Sequence, residues 1–426
     1  MRVVFISANT EQINMPVLPI GMARVAAATE KAGHEVKILN LMRPEHASHS
    51  LEDALVGFRP DVIGISVRNI DDQNRECPHF LLPPVGQVVG ECRRLSRAPL
   101  VLGGPGYSIF PEAILDYLQA DYGICGEGEH AFPLLLARLE DNLTPTDVPG
   151  LVLPGRKYKR EPQRIRNLDE YPLPEPGKHL HVPADINREE VWVPFQTRRG
   201  CPMYCNYCST PFIEGDSIRR QSVTAAVANL KAYAGAGYRQ FFFVDNTFNL
   251  PASHAEALCD AIIEAGLDIA WQGIVYPTRI DPQLAEKMSR AGCAGVALGF
   301  ESGSPRVLAE MNKQFSVEEV RQAAKVLGDW GISRMGFLLL GGPGETRETV
   351  QESIELADSL DLETVKVTAG VRIYPHTALA EQAVARGMVD SNQDLLQPVF
   401  YLEPDLDGWL QETVFPLVEE RQNWYM

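Results

Sequence analysis

Thr197-Arg198-Arg199-Gly200-Cys201-Pro202-Met203-Tyr204-Cys205-Asn206-Tyr207-Cys208 gathers three of the chain's eight cysteines in C-x3-C-x2-C spacing. Scattered at random over 426 residues, eight cysteines give that pattern roughly 0.003 times, so chance does not account for it. Eight cysteines are also too few for a disulfide scaffold in a chain of this length, and a reducing compartment leaves metal binding or catalysis as their use. Soft thiolates select zinc or iron-sulfur. A structural zinc site is closed by four ligands, and no nearby Cys or His completes one in the usual paired spacing. An iron-sulfur cluster with three protein ligands leaves one iron open for an exogenous ligand.

Around this loop the sequence reads as alternating strand and helix. Strands are expected at Val191 to Gln196, Gln240 to Val244, Ile269 to Val275, Gly295 to Gly299, Met335 to Leu340 and Val365 to Val371, with amphipathic segments between them long enough for right-handed crossovers. Six such units predict an open or partial (βα)6 TIM-like barrel, with reactive groups on the loops at its carboxyl face. The cysteine loop follows the first of these strands and so lies on that face. Upstream, short β-branched runs at Arg2 to Ser7, Glu35 to Asn40, Val62 to Ser66, Leu100 to Leu102 and Tyr122 to Cys125 alternate with helices at Leu18 to Lys31, Leu51 to Phe58, Pro84 to Leu95, Pro111 to Leu118 and Glu129 to Leu139. This is a five-stranded, doubly wound Rossmann-like domain, whose crevice lies at the carboxyl ends of its strands. The whole is α/β, divided as 1–144, a proline-rich linker over 145–185, a barrel over 186–380 and a short C-terminal cap over 381–426. Within the linker, Arg156-Lys157-Tyr158-Lys159-Arg160 reads as an exposed hairpin. In the cap, Val399-Phe400-Tyr401-Leu402 and Trp409 read as packing against the barrel, with the lining of an apolar pocket as the alternative.

Composition narrows the partners. With 39 basic against 56 acidic side chains the net charge is -17, which disfavours nucleic acid and anionic membrane surfaces. No apolar run approaches the roughly 20 residues of a membrane span, and the first residues carry no cleavage region of a signal peptide. A cytoplasmic protein acting on a small molecule is expected.

The cysteine motif, with Tyr207 as its aromatic residue, resembles the signature of the radical S-adenosylmethionine (radical SAM) superfamily, and the resemblance extends over about residues 190 to 380. It implies a [4Fe-4S] cluster on Cys201, Cys205 and Cys208, SAM chelated to the open iron, and reductive cleavage to a 5'-deoxyadenosyl radical. The electron then comes from an external donor such as flavodoxin or ferredoxin. By the same resemblance, Asp245 in Val244-Asp245-Asn246 accepts from the SAM ammonium. Glu301 and Ser302, in Gly299-Phe300-Glu301-Ser302-Gly303, belong to the ribose- and carboxylate-binding segment. Gly341, in Leu340-Gly341-Gly342-Pro343-Gly344-Glu345, flanks adenine. Arg372 and Tyr374 are the catalytic candidates, reaching SAM or substrate from the end of the sixth strand. Read from the residues alone, the alternatives are a strand-end turn at Asp245, a structural helix cap at Glu301 and Ser302, and a turn before the helix starting near Thr346 at Gly341.

A parallel α/β domain ahead of such a barrel resembles the cobalamin-binding class of the superfamily, whose strand-end loops cradle the corrin. That resemblance assigns Asn9 and Thr10 after the first strand, Ser66, Arg68 and Asn69 after the third, Gly103 and Gly104 after the fourth, and Gly126 and Glu127 after the fifth. The D-x-H-x-x-G motif that supplies a cobalt-binding histidine in mutases and methionine synthase is missing, since Ser7-Ala8-Asn9-Thr10-Glu11-Gln12 stands in its place. His34 reads as a solvated turn residue. Cobalamin is therefore expected without a protein ligand, with Arg68 or Asn69 toward the lower cobalt face; a Rossmann-like domain that binds none is the alternative. The implied activity is a cobalamin-dependent radical SAM methyltransferase acting on an unactivated carbon of a small metabolite. Radical rearrangement, cyclisation or oxidation without methyl transfer is the alternative chemistry, and a corrinoid- or redox-sensing protein the non-enzymatic one.

Overall fold

The structure is a computed structural model, described here for residues 1–9, 18–42, 51–157, 162, 164–180, 182 and 187–426. Arg2–Ser7 (β1), Glu35–Asn40 (β2), Val62–Ser66 (β3), Leu100–Gly103 (β4) and Tyr122–Ile124 (β5) pair in parallel in the order β2-β1-β3-β4-β5. Val3, Val4, Phe5 and Ile6 are all at most 3% exposed, as expected of a parallel strand covered on both faces. The chain leaves β1 to one side for β2 and returns to the other for β3, and that reversal opens a crevice at the strand ends.

The first sheet has a sixth strand that the sequence reading assigned to the linker. Leu151–Val152 (β6) pairs antiparallel with β5. Two residues among prolines carry no periodicity to announce a strand. The helix expected over Leu51 to Phe58 is π-helical at Asp53–Gly57. His34 is not solvated: its side chain is 8% exposed, and its Nδ1 lies 3.1 Å from the amino group of Met1. Of the expected basic hairpin, Arg156 and Lys157 are exposed, and Tyr158, Lys159 and Arg160 lie outside the described residues.

The second sheet comprises Trp192–Phe195 (β7), Gln240–Phe243 (β10), Ala270–Val275 (β11), Cys293–Glu301 (β12), Ser333–Leu340 (β13) and Thr364–Ala369 (β14), all parallel, with Arg198–Arg199 (β8) and Arg219–Arg220 (β9) forming a hairpin beside it. A seventh strand, Trp424–Tyr425 (β17), comes from the expected cap and pairs parallel with β14. Burial alternates along β11, β13 and β14, with Trp271, Leu338, Leu340, Val365 and Val367 packed under the helices and Gln272, Met335, Phe337 and Lys366 facing the other way. The sixth barrel strand ends at Ala369 rather than at Val371, because Gly370 takes φ +81° and turns the chain. Val371–Arg372 (β15) then forms a separate antiparallel ribbon with Phe400–Tyr401 (β16).

Candidate active site

The cysteine loop is held at its base. Asp245, at the end of β10 and fully buried, accepts from the Thr197 amide (2.8 Å), the Arg198 amide (3.1 Å) and the Thr197 hydroxyl (2.5 Å), and lies 3.8 Å from Nε of Arg198. Burial pushes its carboxyl above the usual range, and Arg198 pulls the other way. Gly200 takes φ +86°, where a Cβ would collide with the Ser217 carbonyl, so this turn admits only glycine. Glu214, on the Thr210–Glu214 helix just past the loop, accepts from Gln196 Nε2 (2.9 Å), the Gly200 amide (3.1 Å) and Asn246 Nδ2 (2.7 Å). Asp245 and Glu214 therefore clamp the loop from two sides. Asp245 stands at the base of the loop, and its carboxylate is spent there.

Cys201, Cys205 and Cys208 are free, partly buried thiols. Burial pushes the Cys205 thiol up to about 11 and raises Cys201, and each feels the charge of the other two or of Cys208, so the three stand close together. Among the described residues no three His, Cys, Asp or Glu side chains converge on a single metal ion. Three grouped thiols with no fourth ligand suit a polynuclear cluster with an open position rather than a closed zinc site. Metal binding would also displace the protons that burial favours.

A buried triad stands beside Cys205. The Tyr207 hydroxyl donates to Glu301 Oε1 (3.1 Å), and Lys313 Nζ donates to the Tyr207 hydroxyl (2.9 Å) and to Glu301 Oε1 (3.1 Å). Lys313 is 5% exposed, and Glu301 with its neighbours keeps it protonated despite burial. Sequence reading found Tyr207 and Glu301 and missed Lys313, which lies beyond a helix and enters only because the chain folds back onto the loop. Ser302 departs from its expected role. It is 0% exposed, bonded to Ser353 Oγ (2.9 Å) and accepting from the Ser304 amide (3.1 Å), so it closes the turn rather than facing open space. Gly341 has φ +92°, and its amide and that of Gly342 (3.2 Å) are held by the buried Glu345 carboxylate, whose pKa burial raises to about 7.

The Arg372 assignment needs correction. Its Nε donates to Asp71 (2.8 Å), Nη1 to the Ile373 carbonyl (2.6 Å) and Nη2 to the Leu395 carbonyl (2.9 Å), at 4% exposure. No donor face remains for a ligand; Arg372 ties the barrel to the first domain. Tyr374 is partly buried between Arg372, 5.0 Å from its ring, and Phe110, 6.2 Å away, within the electrostatic reach of Cys208. The cap residues Tyr401 (0% exposed) and Leu402 (7%) pack inward, and Leu402 fills the space where Gly341 has no Cβ.

At the strand ends of the first sheet lies a cavity of about 300 Å³. Ser66, Arg68, Gly103, Gly104, Gly126 and Glu127 all line it; Asn9 and Asn69 lie off the lining, and Thr10 is outside the described residues. The glycines differ in purpose. A Cβ at Gly104 would strike the Val67 carbonyl and one at Gly126 would strike Pro162, whereas at Gly103 the nearest atom is 3.7 Å away. Of these three, Gly103 leaves its space to a ligand. Arg68 has no hydrogen-bond or ionic partner among the described residues, and burial lowers its pKa, leaving a partly desolvated cation on the wall. Glycine-bounded strand ends around an unpartnered cation suit a large ligand carrying amides and a phosphate. The far wall belongs to the barrel: Gln196, Arg199 and Glu214, the residues at the base of the cysteine loop. A second cavity, of about 470 Å³, opens on another side of that loop beside Met203, between Arg220 and Arg279.

Fold and site together define a radical SAM enzyme: residues 196–357 match the Radical SAM superfamily. More particularly, residues 6–136 match the B12 binding domain, which makes this a cobalamin-binding member with SAM, a [4Fe-4S] cluster and cobalamin as cofactors. The chain is 28% identical over 379 residues to an uncharacterized methyltransferase of Pyrococcus horikoshii, covering 87% of this chain and 79% of that one. It is 25% identical over 453 residues to tryptophan 2-C-methyltransferase of Streptomyces laurentii, covering 88% and 73%. The fold matches the radical SAM methyltransferase TsrM of Kitasatospora setae, solved with tryptophan and a SAM analogue, at a TM-score of 0.89 and 22% identity over 99% of this chain and 90% of that one. No helix among the described residues is long and apolar enough to cross a membrane.

Proposed function

We propose that this enzyme transfers a methyl group to an unactivated carbon of a small organic molecule. The observation behind this reading is the shared wall, in which the side chains that hold the cysteine loop also line the cavity of the first domain. When bound, SAM and the cluster supply a hydrogen-abstracting radical, and the corrinoid carries the methyl group. The chain's own contribution is placement. Asp245 and Glu214 fix the loop. Lys313 and Glu301 set a buried cation and an acceptor beside Cys205, a pair fitted to the carboxylate and ammonium of an amino-acid moiety. Gly341, pinned by Glu345 and covered by Leu402, holds the turn after β13. Ser66, Gly103 and Arg68 would hold the corrinoid, Arg68 as the wall cation that has no hydrogen-bond or ionic partner among the described residues. Tyr374, packed between Arg372 and Phe110 and within the electrostatic reach of Cys208, is the aromatic group assigned to the substrate side. Flavodoxin or ferredoxin supplies the electron, with Arg220 and Arg279 lining the cavity that opens beside Met203 of the loop. Eight free cysteines fit the reducing cytoplasm.

The test is anaerobic turnover of the reconstituted enzyme with methyl-deuterated SAM and a panel of small metabolites that begins with tryptophan. Labelled product together with 5'-deoxyadenosine is expected. Unlabelled product with 5'-deoxyadenosine would move the assignment to rearrangement, cyclisation or oxidation.

A further inference from the structure

We infer that filling the first-domain cavity and loading the cysteine loop are thermodynamically coupled through Arg199, a positioning residue for both. The inference rests on the two-cofactor reading above. Arg199 lies in β8, two residues before Cys201, and is 6% exposed. Its Nε donates to Gln196 Oε1 (3.0 Å), its Nη2 to Glu129, and its Nη1 lies 3.7 Å from Glu127. Both carboxylates belong to the first domain, at the start of the Gly128–Glu140 helix. Glu127 also receives Arg219 of β9 at 2.6 Å and 2.9 Å, and Arg24 of the Ile20–Lys31 helix donates to the Gln196 carbonyl (2.9 Å).

Arg24, Glu127, Glu129, Gln196 and Arg199 are each 9% exposed or less, so the two first-domain carboxylates are neutralised out of water by barrel arginines. Such a pair cannot be opened without stranding a charge, which makes the contact hold or fail as a unit. Four of these side chains, Glu127, Glu129, Gln196 and Arg199, are also cavity wall. A ligand in the cavity packs against these side chains and raises the cost of opening their pairs. The loop that starts two residues later then has less freedom left to lose when it takes up iron, which is positive cooperativity without any movement of domains. Linkage makes the effect reciprocal.

The experiment titrates hydroxocobalamin, followed by its visible spectrum, into the full chain with its cluster loaded and into the same chain stripped of iron. Binding about fivefold or more tighter in the loaded protein is expected, together with slower loss of iron to a chelator once cobalamin is bound. Arg199→Gln should weaken both binding steps and bring the ratio toward one, and Arg199→Lys should restore part of it. Equal affinities in the loaded and stripped native chain overturn the inference, as does an undiminished ratio in Arg199→Gln. The comparison on the native chain decides the matter even if a variant does not fold. Failure of cobalamin and iron to bind at all would instead overturn the two-cofactor reading.

Discussion

Asp245 shows how a residue can sit where it is expected and still do something else. Its place at a strand end suggests a ligand acceptor, yet two amides, a hydroxyl and a guanidinium already fill its carboxylate. Asp245→Ala should cost about 3 to 5 kcal/mol, because it strands the Arg198 charge and frees the loop. Chemical denaturation would read that cost, and iron content after reconstitution should fall with it. Glu345 gives a pH signature. Its folded pKa of about 7 lies above the ordinary 4.5, so between those values the folded chain keeps a proton that the unfolded chain has released. Stability contributed at this position is therefore highest below about pH 4.5 and is lost as pH rises to about 7, by roughly 3 kcal/mol. Denaturation of the native chain and of Glu345→Gln at about pH 5 and about pH 8 should show the gap between them shift by that amount; a constant gap would refute it. The three cysteines were legible because their spacing is local. Lys313 was not, because only the fold brings it to Glu301 and Tyr207.

The long strands and helices announced themselves by periodicity, and the short ones did not. β6 and β17 have two residues each and exist because an open sheet edge needs partners, a demand that nothing in their own composition expresses. Trp424, 8% exposed in the barrel core, anchors β17. Trp424→Ala should cost about 3 to 5 kcal/mol, seen as a lowered denaturation midpoint. By contrast Ser316, which with Glu319 forms a capping box on the Val317–Asp329 helix, contributes locally. Ser316→Ala should cost about 1 kcal/mol and leave iron content unchanged.

At the scale of the whole molecule, buried ion pairs hold the two sheets together. Asp71 and Arg372 meet at 2.8 Å with side chains 1% and 2% exposed, linking the loop after β3 to β15. Arg372→Met should cost about 3 to 5 kcal/mol by leaving Asp71 unpaired. Calorimetry should show one transition for the native chain and two for the variant, one for each sheet, and a single transition with unchanged midpoint in the variant would count against this role. From sequence, Arg372 passed for a catalytic group, since an arginine near a strand end reads the same whether it meets a ligand or a carboxylate 301 residues away.

What the sequence determined by itself was what repeats or clusters along the chain: two runs of alternating strand and helix, three thiols in fixed spacing, and glycines after the strands. These are local patterns, set by backbone geometry and ligand chemistry within a few residues. The tertiary structure alone decided which charges are buried together, which edges are closed by distant dipeptides, and that one cavity wall doubles as the base of the cysteine loop. Burial and pairing depend on distances in space, and those exist only once the chain has closed on itself.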